Sequence, residues 1–129
     1  MKKKYLNYRA VKTLKVQHNF DSLEEWNEKL VESTAHILVE GQNDQRKLRK
    51  LGVDEQRILL VSSKPVYKVV EELKNEKEVI ILTDLDYEGK KLYNKLRHHL
   101  QKNGKRIDNR FRNFLFQETT ISNIEGITV

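Results

Sequence analysis

One apolar run of the chain ends at two carboxylates and then a glycine: Val79-Ile80-Ile81-Leu82-Thr83-Asp84-Leu85-Asp86-Tyr87-Glu88-Gly89. The same pattern occurs earlier, where Ile37-Leu38-Val39 ends at Glu40-Gly41 with Asp44 close behind. Continuous apolar runs of this kind are typical of strands that are buried on both faces of a parallel sheet. The two runs therefore predict two strands of one parallel sheet, each of which ends at acidic residues.

Helical and strand patterns alternate along the rest of the chain. Asp21 is the expected N-cap of a first helix at about residues 22–33, and Glu24 would complete a capping box. The next expected elements are a strand at about 36–40, a helix at 43–51 that Gly52 ends, a strand at 57–61, a helix from Pro65, a strand at 79–83 and a helix at 88–102. Residues 111–116 indicate another strand or a core-packing segment, and 127–129 indicate a short edge strand. The alternation predicts an α/β fold with a Rossmann-like, largely parallel sheet of about four strands flanked by helices.

Length and composition narrow the class of protein. At 129 residues the chain is long enough for one domain with a substantial core. The absence of cysteine excludes disulfides and thiolate zinc sites, and it makes a cytoplasmic location the default expectation. No apolar run approaches the roughly 18 residues that a membrane-spanning helix needs, so we expect no membrane partner.

The net charge of +6 is unevenly distributed along the chain. Residues 1–15 carry +6 and residues 88–112 carry +7, whereas residues 16–87 carry −5. Two basic segments therefore flank an acidic middle that contains Glu40 and Asp84. This pattern favours a polyanion such as RNA or DNA as partner, although charged helix faces that merely solvate the protein would give a similar distribution.

The carboxyl ends of parallel strands lie on one edge of the sheet, where open α/β sheets bind their ligands. Glu40, Asp84 and Asp86 are therefore expected to converge in one crevice. Clustered carboxylates repel each other, so holding them together implies a shared proton or a cation. Mg²⁺ is the expected cation, because it needs only one or two carboxylates besides waters and substrate phosphate; Mn²⁺ is a candidate substitute.

The motifs Glu40-Gly41-x-x-Asp44 and Asp84-x-Asp86-x-x-Gly89 resemble those of the Toprim domain, over about residues 35–116. That fold is shared by topoisomerases, bacterial primases, OLD-type nucleases, a recombination-mediator protein and nucleases that mature ribosomal RNA. The form Thr83-Asp84-x-Asp86-x-Glu88-Gly89 is similar to that of the topoisomerases and the ribosomal-RNA nucleases. In size the chain resembles small stand-alone Toprim proteins. We accordingly divide it into a basic N-terminal extension plus leading helix (1–34) and a Toprim domain (35–129).

The four acids have different candidate roles. Asp84 and Asp86 lie two residues apart, so in a regular strand they would share a face and could direct oxygens at one hard cation. Glu40 is the candidate general acid or base, and the resemblance favours a second role for it as a metal ligand. Asp44 is either a ligand of a second ion or only a cap of the following helix.

Gly41 and Gly89 are interpreted as backbone-turn positions whose dihedrals favour glycine, and a bare backbone would also admit a phosphate. Tyr87 either stacks on a base or packs over the acidic loop. The candidate nucleic-acid contacts follow Gly89 along the chain: Lys90, Lys91, Arg97, Arg110 and Arg112.

Two function classes remain open. The first is a Mg²⁺-dependent nuclease that hydrolyses phosphodiesters in RNA or DNA, with Glu40, Asp84 and Asp86 as its central acids. The second is a non-catalytic, metal-dependent module that binds nucleic acid or assembles a complex, because the same fold serves both purposes. A homodimer through the edge strand is also left open.

Overall fold

The computed structural model of the chain describes residues 20–128. In chain order its main elements are α1 (Leu23–Glu32), β1 (His36–Val39), α2 (Gln42–Lys50), β2 (Ile58–Leu60), α3 (Val66–Glu72), β3 (Glu78–Ile81), α4 (Tyr87–Lys102), β4 (Arg106–Ile107) and α5 (Arg110–Gln117). Short 3₁₀ turns at Glu55–Arg57 and Ile124–Gly126 precede β2 and follow α5. The basic segment 1–15 and Val129 lie outside the described residues.

The four strands form one parallel sheet in the order β2-β1-β3-β4. Ile37 of β1 pairs with Ile58 of β2 on one side and with Ile80 of β3 on the other. This architecture confirms the α/β, Rossmann-like fold expected from the sequence. Because all four strands run in the same direction, their carboxyl ends lie on one edge, where Glu40 follows β1 and Asp84 follows β3.

Each face of the sheet has its own apolar core, because successive strand residues point to opposite faces. Ile37 belongs to the core under α1, α2 and α5, in which Trp26 and Phe111 are buried. Leu38 belongs to the second core, which α3 and α4 cover. The burial of both faces explains why the strand sequences are continuous apolar runs rather than alternating ones.

The first helix begins one residue later than the sequence predicted. Ser22, not Asp21, is its N-cap, since the Ser22 hydroxyl oxygen accepts from the backbone N–H of Glu25 at 3.0 Å. The reciprocal interaction is also displaced by one residue, because the Asp21 N–H donates to the Glu25 carboxylate at 2.6 Å. The predicted capping box with Glu24 is therefore wrong, although a capped helix does stand at this place.

The C-terminal third differs more from the expectation. The segment 111–116, left open between a strand and a core-packing segment, is part of helix α5 and packs into the core. One edge of the sheet is instead the two-residue strand β4, which the sequence did not predict. Ile127 is a buried core residue beyond a 3₁₀ turn, so the edge strand expected at 127–129 is wrong for the described residues 127 and 128.

Helix α1 shares the core of the sheet. The indole N–H of Trp26 donates to the backbone oxygen of Phe111 at 2.9 Å, and the two rings meet edge to face with centroids 6.1 Å apart. The division of the chain at residue 34 stays a prediction. Within residues 20–128, none of the helices is both long and apolar enough to cross a membrane.

Candidate metal and nucleic-acid site

A buried arginine from α5 holds the end of β3. Arg112 is 7% exposed, and its guanidinium donates to the backbone oxygen of Thr83 at 2.6 Å and to that of Asp84 at 3.4 Å. The guanidinium carbon also lies 4.3 Å from the ring centroid of Tyr93 and 5.0 Å from that of Phe116. A planar guanidinium suits this place because it stacks on rings while its N–H groups donate in the plane. The carbonyl groups after β3 are therefore fixed by a side chain from a distant helix.

The turn from β3 into α4 is packed so closely that glycine is required at position 89. The buried hydroxyl of Thr83 donates to the backbone oxygen of Gly89 at 2.8 Å. A Cβ placed on Gly89 would lie 2.1 Å from the backbone oxygen of Asp84 and 2.7 Å from its carbonyl carbon. Gly89 has no positive φ, so the close approach of the backbone, rather than an unusual dihedral, demands glycine here.

Asp86 begins helix α4. It is the N-cap residue, and its Oδ1 accepts from the backbone N–H of Gly89 at 2.8 Å. A carboxylate at this position satisfies one of the free N–H groups of the first turn and interacts favourably with the helix dipole. One oxygen of this candidate metal ligand is thus already engaged by the protein.

Asp84 carries the most perturbed carboxylate of the site. Its Oδ1 is buried and has no hydrogen-bond partner within residues 20–128. Burial is the largest cause that raises the pKa of Asp84 from 3.8 to about 6, and the negative charges of Glu40, Asp44 and Asp86 raise it further. An unpaired, desolvated carboxylate of this kind is a candidate functional group because it is costly unless something binds it.

Glu40 connects the end of β1 to the end of β3. Its Oε2 accepts from the backbone N–H of Asp84 at 2.8 Å, although the two residues are 44 positions apart in the chain. The sequence-based expectation that acids from two strand ends lie close together therefore agrees with the geometry of this pair. Their catalytic and metal-binding roles stay predictions.

Asp44 is a buried cap of helix α2. Its Oδ2 accepts from the backbone N–H of Gly41 at 3.1 Å, and the side chain is 6% exposed. Burial raises the pKa of Asp44, with a contribution from the charge of Glu125, while hydrogen bonds to backbone N–H groups lower it. Of the two roles left open by the sequence, the cap is present in the structure, and the ligand role stays a prediction.

Gly41 has a different environment from Gly89. Its φ of −150° is an extended conformation that any residue can adopt, and a Cβ placed on it would meet nothing within 4 Å. The sequence-based reason for both glycines, unusual dihedrals at the turn, is therefore wrong. The described glycines with positive φ are Gly52 and Gly104.

Among the described residues, Glu40 lines one cavity, and Asp84 and Asp86 line another. A cavity of about 350 Å³ is lined by Glu40, Ser62, Glu88, Lys91, Leu92 and Lys95. A second, of about 240 Å³, is lined by Asp84, Leu85, Asp86, Ser122 and Asn123. The Glu40 carboxylate, hydrogen-bonded to the Asp84 backbone, links the two.

A divalent cation fits this arrangement. The unpaired Oδ1 of Asp84 lies in the field of four other acids, Glu40, Asp44, Asp86 and Glu125, and is the kind of oxygen that a cation would satisfy. Within residues 20–128, no three His, Asp or Glu side chains form a ready-made cluster for a metal ion. Carboxylates in small number suit Mg²⁺, which keeps several waters and binds through one or two carboxylates plus phosphate.

The predicted nucleic-acid contacts divide into three groups. Lys90 and Lys91 are exposed on the first turns of α4, as expected, and Arg97 is half-buried farther along the same helix. Arg110 is exposed but bound to the carboxylate of Asp108 at 2.7 Å, which raises the pKa of Arg110. Arg112 is buried beneath the acidic loop, so the prediction that it meets a nucleic-acid backbone is wrong.

The segment after α5 also contributes to the site, and the sequence did not predict this. The backbone N–H of Leu85 donates to the backbone oxygen of Ser122 at 2.9 Å, which ties the acidic loop to this segment. Glu125 lies close enough to raise the pKa of both Asp84 and Asp44. No spacing motif in the sequence relates these residues, because they meet only through the fold.

The fold and the site together define a class: an α/β domain with carboxylates at the carboxyl edge of a parallel sheet. The chain belongs to the Toprim domain family, whose model matches residues 35–116. It is 34% identical over 95 residues to a UPF0292 protein of Methanocaldococcus jannaschii, covering 70% of this chain and 73% of that protein. It is 36% identical over 109 residues to a UPF0292 protein of Thermococcus sibiricus, covering 84% and 85%.

A solved structure of a protein from Aquifex aeolicus has the same fold. It superposes with a TM-score of 0.77 at 35% sequence identity, covering 83% of this chain and 99% of that one. Toprim domains generally bind divalent metal ions, and the family connects this chain with metal-dependent functions that involve nucleic acid.

Proposed function

We propose that this protein is a Mg²⁺-dependent enzyme that cleaves phosphodiester bonds in nucleic acid, with Mn²⁺ as a substitute ion. The observation that carries the proposal is the junction of the two strand ends. There the Glu40 carboxylate accepts from the Asp84 N–H, and the Asp84 carboxylate has a buried oxygen without a partner. Paired strand-end acids with a desolvated member are suited to binding a cation beside a phosphate.

Asp84 and Asp86 would hold the cation, with Glu40 and Asp44 as further candidate ligands. When bound, the cation neutralises charge on the phosphodiester and makes a water more acidic. Asp86 keeps the acidic loop in register through its cap on Gly89. Arg112 fixes the backbone that carries Asp84, since its guanidinium donates to the carbonyl oxygens of Thr83 and of Asp84 itself.

Glu40 would be the general acid or base. Its hydrogen bond to the Asp84 N–H uses Oε2 and orients the carboxylate, which leaves Oε1 to take or give a proton. The side chain also lines the 350 Å³ cavity, so a phosphodiester that enters this cavity meets Glu40 directly. A proton-transfer group that a backbone donor already holds in place needs less reorientation when the substrate binds.

The non-catalytic binding module is the second candidate, and a specific observation favours it. Glu40, Asp44 and Asp86 each accept a hydrogen bond from a backbone N–H, at Asp84, Gly41 and Gly89. These acids therefore have structural roles that do not require turnover. In this case the metal would organise a binding surface rather than a reaction.

Incubation of the protein with end-labelled RNA and DNA panels separates the two candidates. We expect cleavage with Mg²⁺ and none with chelator, and we expect Glu40→Gln to lose it, since glutamine can accept the Asp84 N–H but cannot transfer the proton. Glu71→Gln is the matched control, because Glu71 is an exposed acid on α3 away from both cavities. Metal-dependent binding without cleavage, unaffected by Glu40→Gln, would instead support the binding module.

A further inference from the structure

One aromatic side chain is conspicuously exposed beside the acidic loop. Tyr87, the first residue of α4, directly follows Asp86 and is 74% exposed. The ammonium of Lys91, one turn farther along α4, lies 5.8 Å from the centroid of the Tyr87 ring. The sequence left two roles open for Tyr87, stacking on a base or packing over the acidic loop. Packing over the loop is wrong, because a ring this exposed is not packed against the protein.

The surface next to Tyr87 is positively charged. Lys90, Lys91 and Lys95 occupy the first turns of α4, and none has a carboxylate partner among residues 20–128. Glu88 is the acid of the same turns, so this surface retains a net charge of about +2. Unpaired lysines beside an exposed ring are the combination with which proteins hold the backbone and the bases of single strands.

The cavity beneath these lysines leads to Glu40. Lys91 and Lys95 of α4 line this cavity together with Glu40 and with Ser62, which lies two residues after β2. Its volume of about 350 Å³ is at the lower end of the roughly 300–1,000 Å³ that small-molecule pockets span. The cavity opens to solvent, and its volume suits one nucleotide at a time rather than two paired strands.

We propose that the substrate is single-stranded nucleic acid, with a base stacked on Tyr87 and the adjacent phosphates bound by Lys91 and Lys95 on the way to Glu40. This inference rests on the proposed function for the position of the scissile phosphate. It adds a polymer class and a base-stacking site. Tyr87 is a binding residue here, and Lys91 contributes both to the phosphate path and to the electrostatics of the ring.

Binding measured by fluorescence anisotropy tests the inference without requiring turnover. The probes are fluorescein-labelled DNA and RNA strands of about 12 nucleotides, within the range of single-strand site sizes, and duplexes of the same sequence. Each is titrated once with Ca²⁺ and once with chelator. We expect the single strands to bind at least about tenfold more tightly than the duplexes, in RNA, DNA or both.

Variants of Tyr87 distinguish stacking from charge. Tyr87→Ala should weaken single-strand binding by about tenfold, whereas Tyr87→Phe, which keeps the ring, should stay within about twofold. Tyr67→Ala is the matched control, since Tyr67 is similarly exposed, at 69%, but lies on α3 rather than beside the acidic loop. Lys91→Gln and Lys95→Gln should each lower the magnitude of the slope of log K against the logarithm of the salt concentration by roughly 0.7, the value for one lost phosphate contact on a single strand.

The inference is overturned if duplexes bind as well as single strands, if Tyr87→Ala has no effect, if Tyr67→Ala is as damaging as Tyr87→Ala, or if no single strand binds in either condition. Failure of the proposed function looks different. A protein that binds single strands through Tyr87 but never cleaves them retains the binding site and loses the enzyme. A protein that cleaves duplexes retains the enzyme and loses this inference.

Discussion

The ends of β1 and β3 have nearly the same sequence, an apolar strand followed by acids and a glycine, but different physical reasons for it. At the end of β3, a Cβ on Gly89 would lie 2.1 Å from the backbone oxygen of Asp84, so the glycine is required by packing. At the end of β1, a Cβ on Gly41 would meet nothing within 4 Å. A motif that looks repeated in the sequence therefore imposes a steric requirement at one end and leaves open space at the other.

The two ends also differ in how firmly they are held. Three hydrogen bonds hold the β3 end. The Arg112 guanidinium donates to the Thr83 backbone oxygen, the Thr83 hydroxyl donates to the Gly89 backbone oxygen, and the Leu85 N–H donates to the Ser122 oxygen in the segment after α5. The β1 end is held by the Asp44 cap on Gly41, and Glu40 reaches across to the β3 backbone. We infer that the β3 end is the more firmly held half of the site.

The largest effect should come from Gly89→Ala. The new methyl would collide with backbone atoms of Asp84, which cannot rotate away, so we expect a loss of about 3 kcal/mol or more in the free energy of unfolding. Urea denaturation followed by circular dichroism measures this loss. If the variant is as stable as the wild type, the close approach of the two backbone segments is not a feature of the folded protein.

Gly41→Ala is the matched control for that substitution. It should cost less than about 1 kcal/mol, because the site is open and alanine is only a poorer N-cap residue than glycine. The affinity of the Gly41→Ala protein for the labelled strands described above is a second measurement on the same variant. A well-folded Gly41→Ala protein that no longer binds would indicate that the open space at Gly41 receives the phosphate.

Arg112→Met should have the next largest effect. It leaves the carbonyl groups of Thr83 and Asp84 without their donor inside the protein, which costs about 2 kcal/mol in the free energy of unfolding. Arg112→Lys should recover part of this loss, since an ammonium keeps the charge but does not reproduce the planar set of donors. Equal stability of Arg112→Met and the wild type would show that the guanidinium does not hold the β3 end.

The smallest effect concerns the charge on Asp84 and depends on pH. Because the folded protein raises the pKa of Asp84 to about 6 from 3.8, the carboxylate destabilises the metal-free fold above about pH 6 and not below about pH 4. In chelator, the stability advantage of Asp84→Asn over the wild type should therefore grow between pH 4 and 6 and then level off. We expect about 1 kcal/mol, allowing for solvent screening of this partly exposed group.

Mg²⁺ should reverse the order of these two proteins at pH 7. A cation that binds the folded wild type raises its melting temperature, whereas Asp84→Asn lacks the ligand and should respond little. For the pH prediction in chelator, the contradicting result is a stability difference between wild type and Asp84→Asn that is the same at pH 4 and pH 7. It would mean that the Asp84 carboxylate is not destabilised by burial and by its acidic neighbours.

Much of the fold was predictable because it depends on local pattern. The continuous apolar runs of β1 and β3 predicted strands buried on both faces, and the rule for parallel strands brought Glu40 close to Asp84. Strand β4 was not predictable, since Arg106 and Ile107 have no strand pattern. They form a strand only by pairing with Glu78 and Val79, where the backbone N–H groups of Arg106 and Asp108 donate to the oxygens of Lys77 and Val79.

The supporting residues of the site were not predictable for the same reason. Charge alone predicts a surface cation at Arg112, although it stands within the run Phe111-Arg112-Asn113-Phe114-Leu115-Phe116, where Phe111, Phe114 and Leu115 are buried. An arginine within an aromatic helical segment indicates burial, and an analysis of charge alone does not detect this. The need for glycine at position 89 follows from the approach of two backbone segments, which leaves no trace in sequence spacing.

Anomalous diffraction from crystals grown with Mn²⁺ would locate a cation at the strand ends directly. We expect a peak in contact with the Asp84 carboxylate, between the ends of β1 and β3, and its loss in Asp84→Asn crystals. An ordered acidic loop with no peak there, or a peak only at other acids such as Asp108, would contradict the claim that these two strand ends form a divalent-cation site.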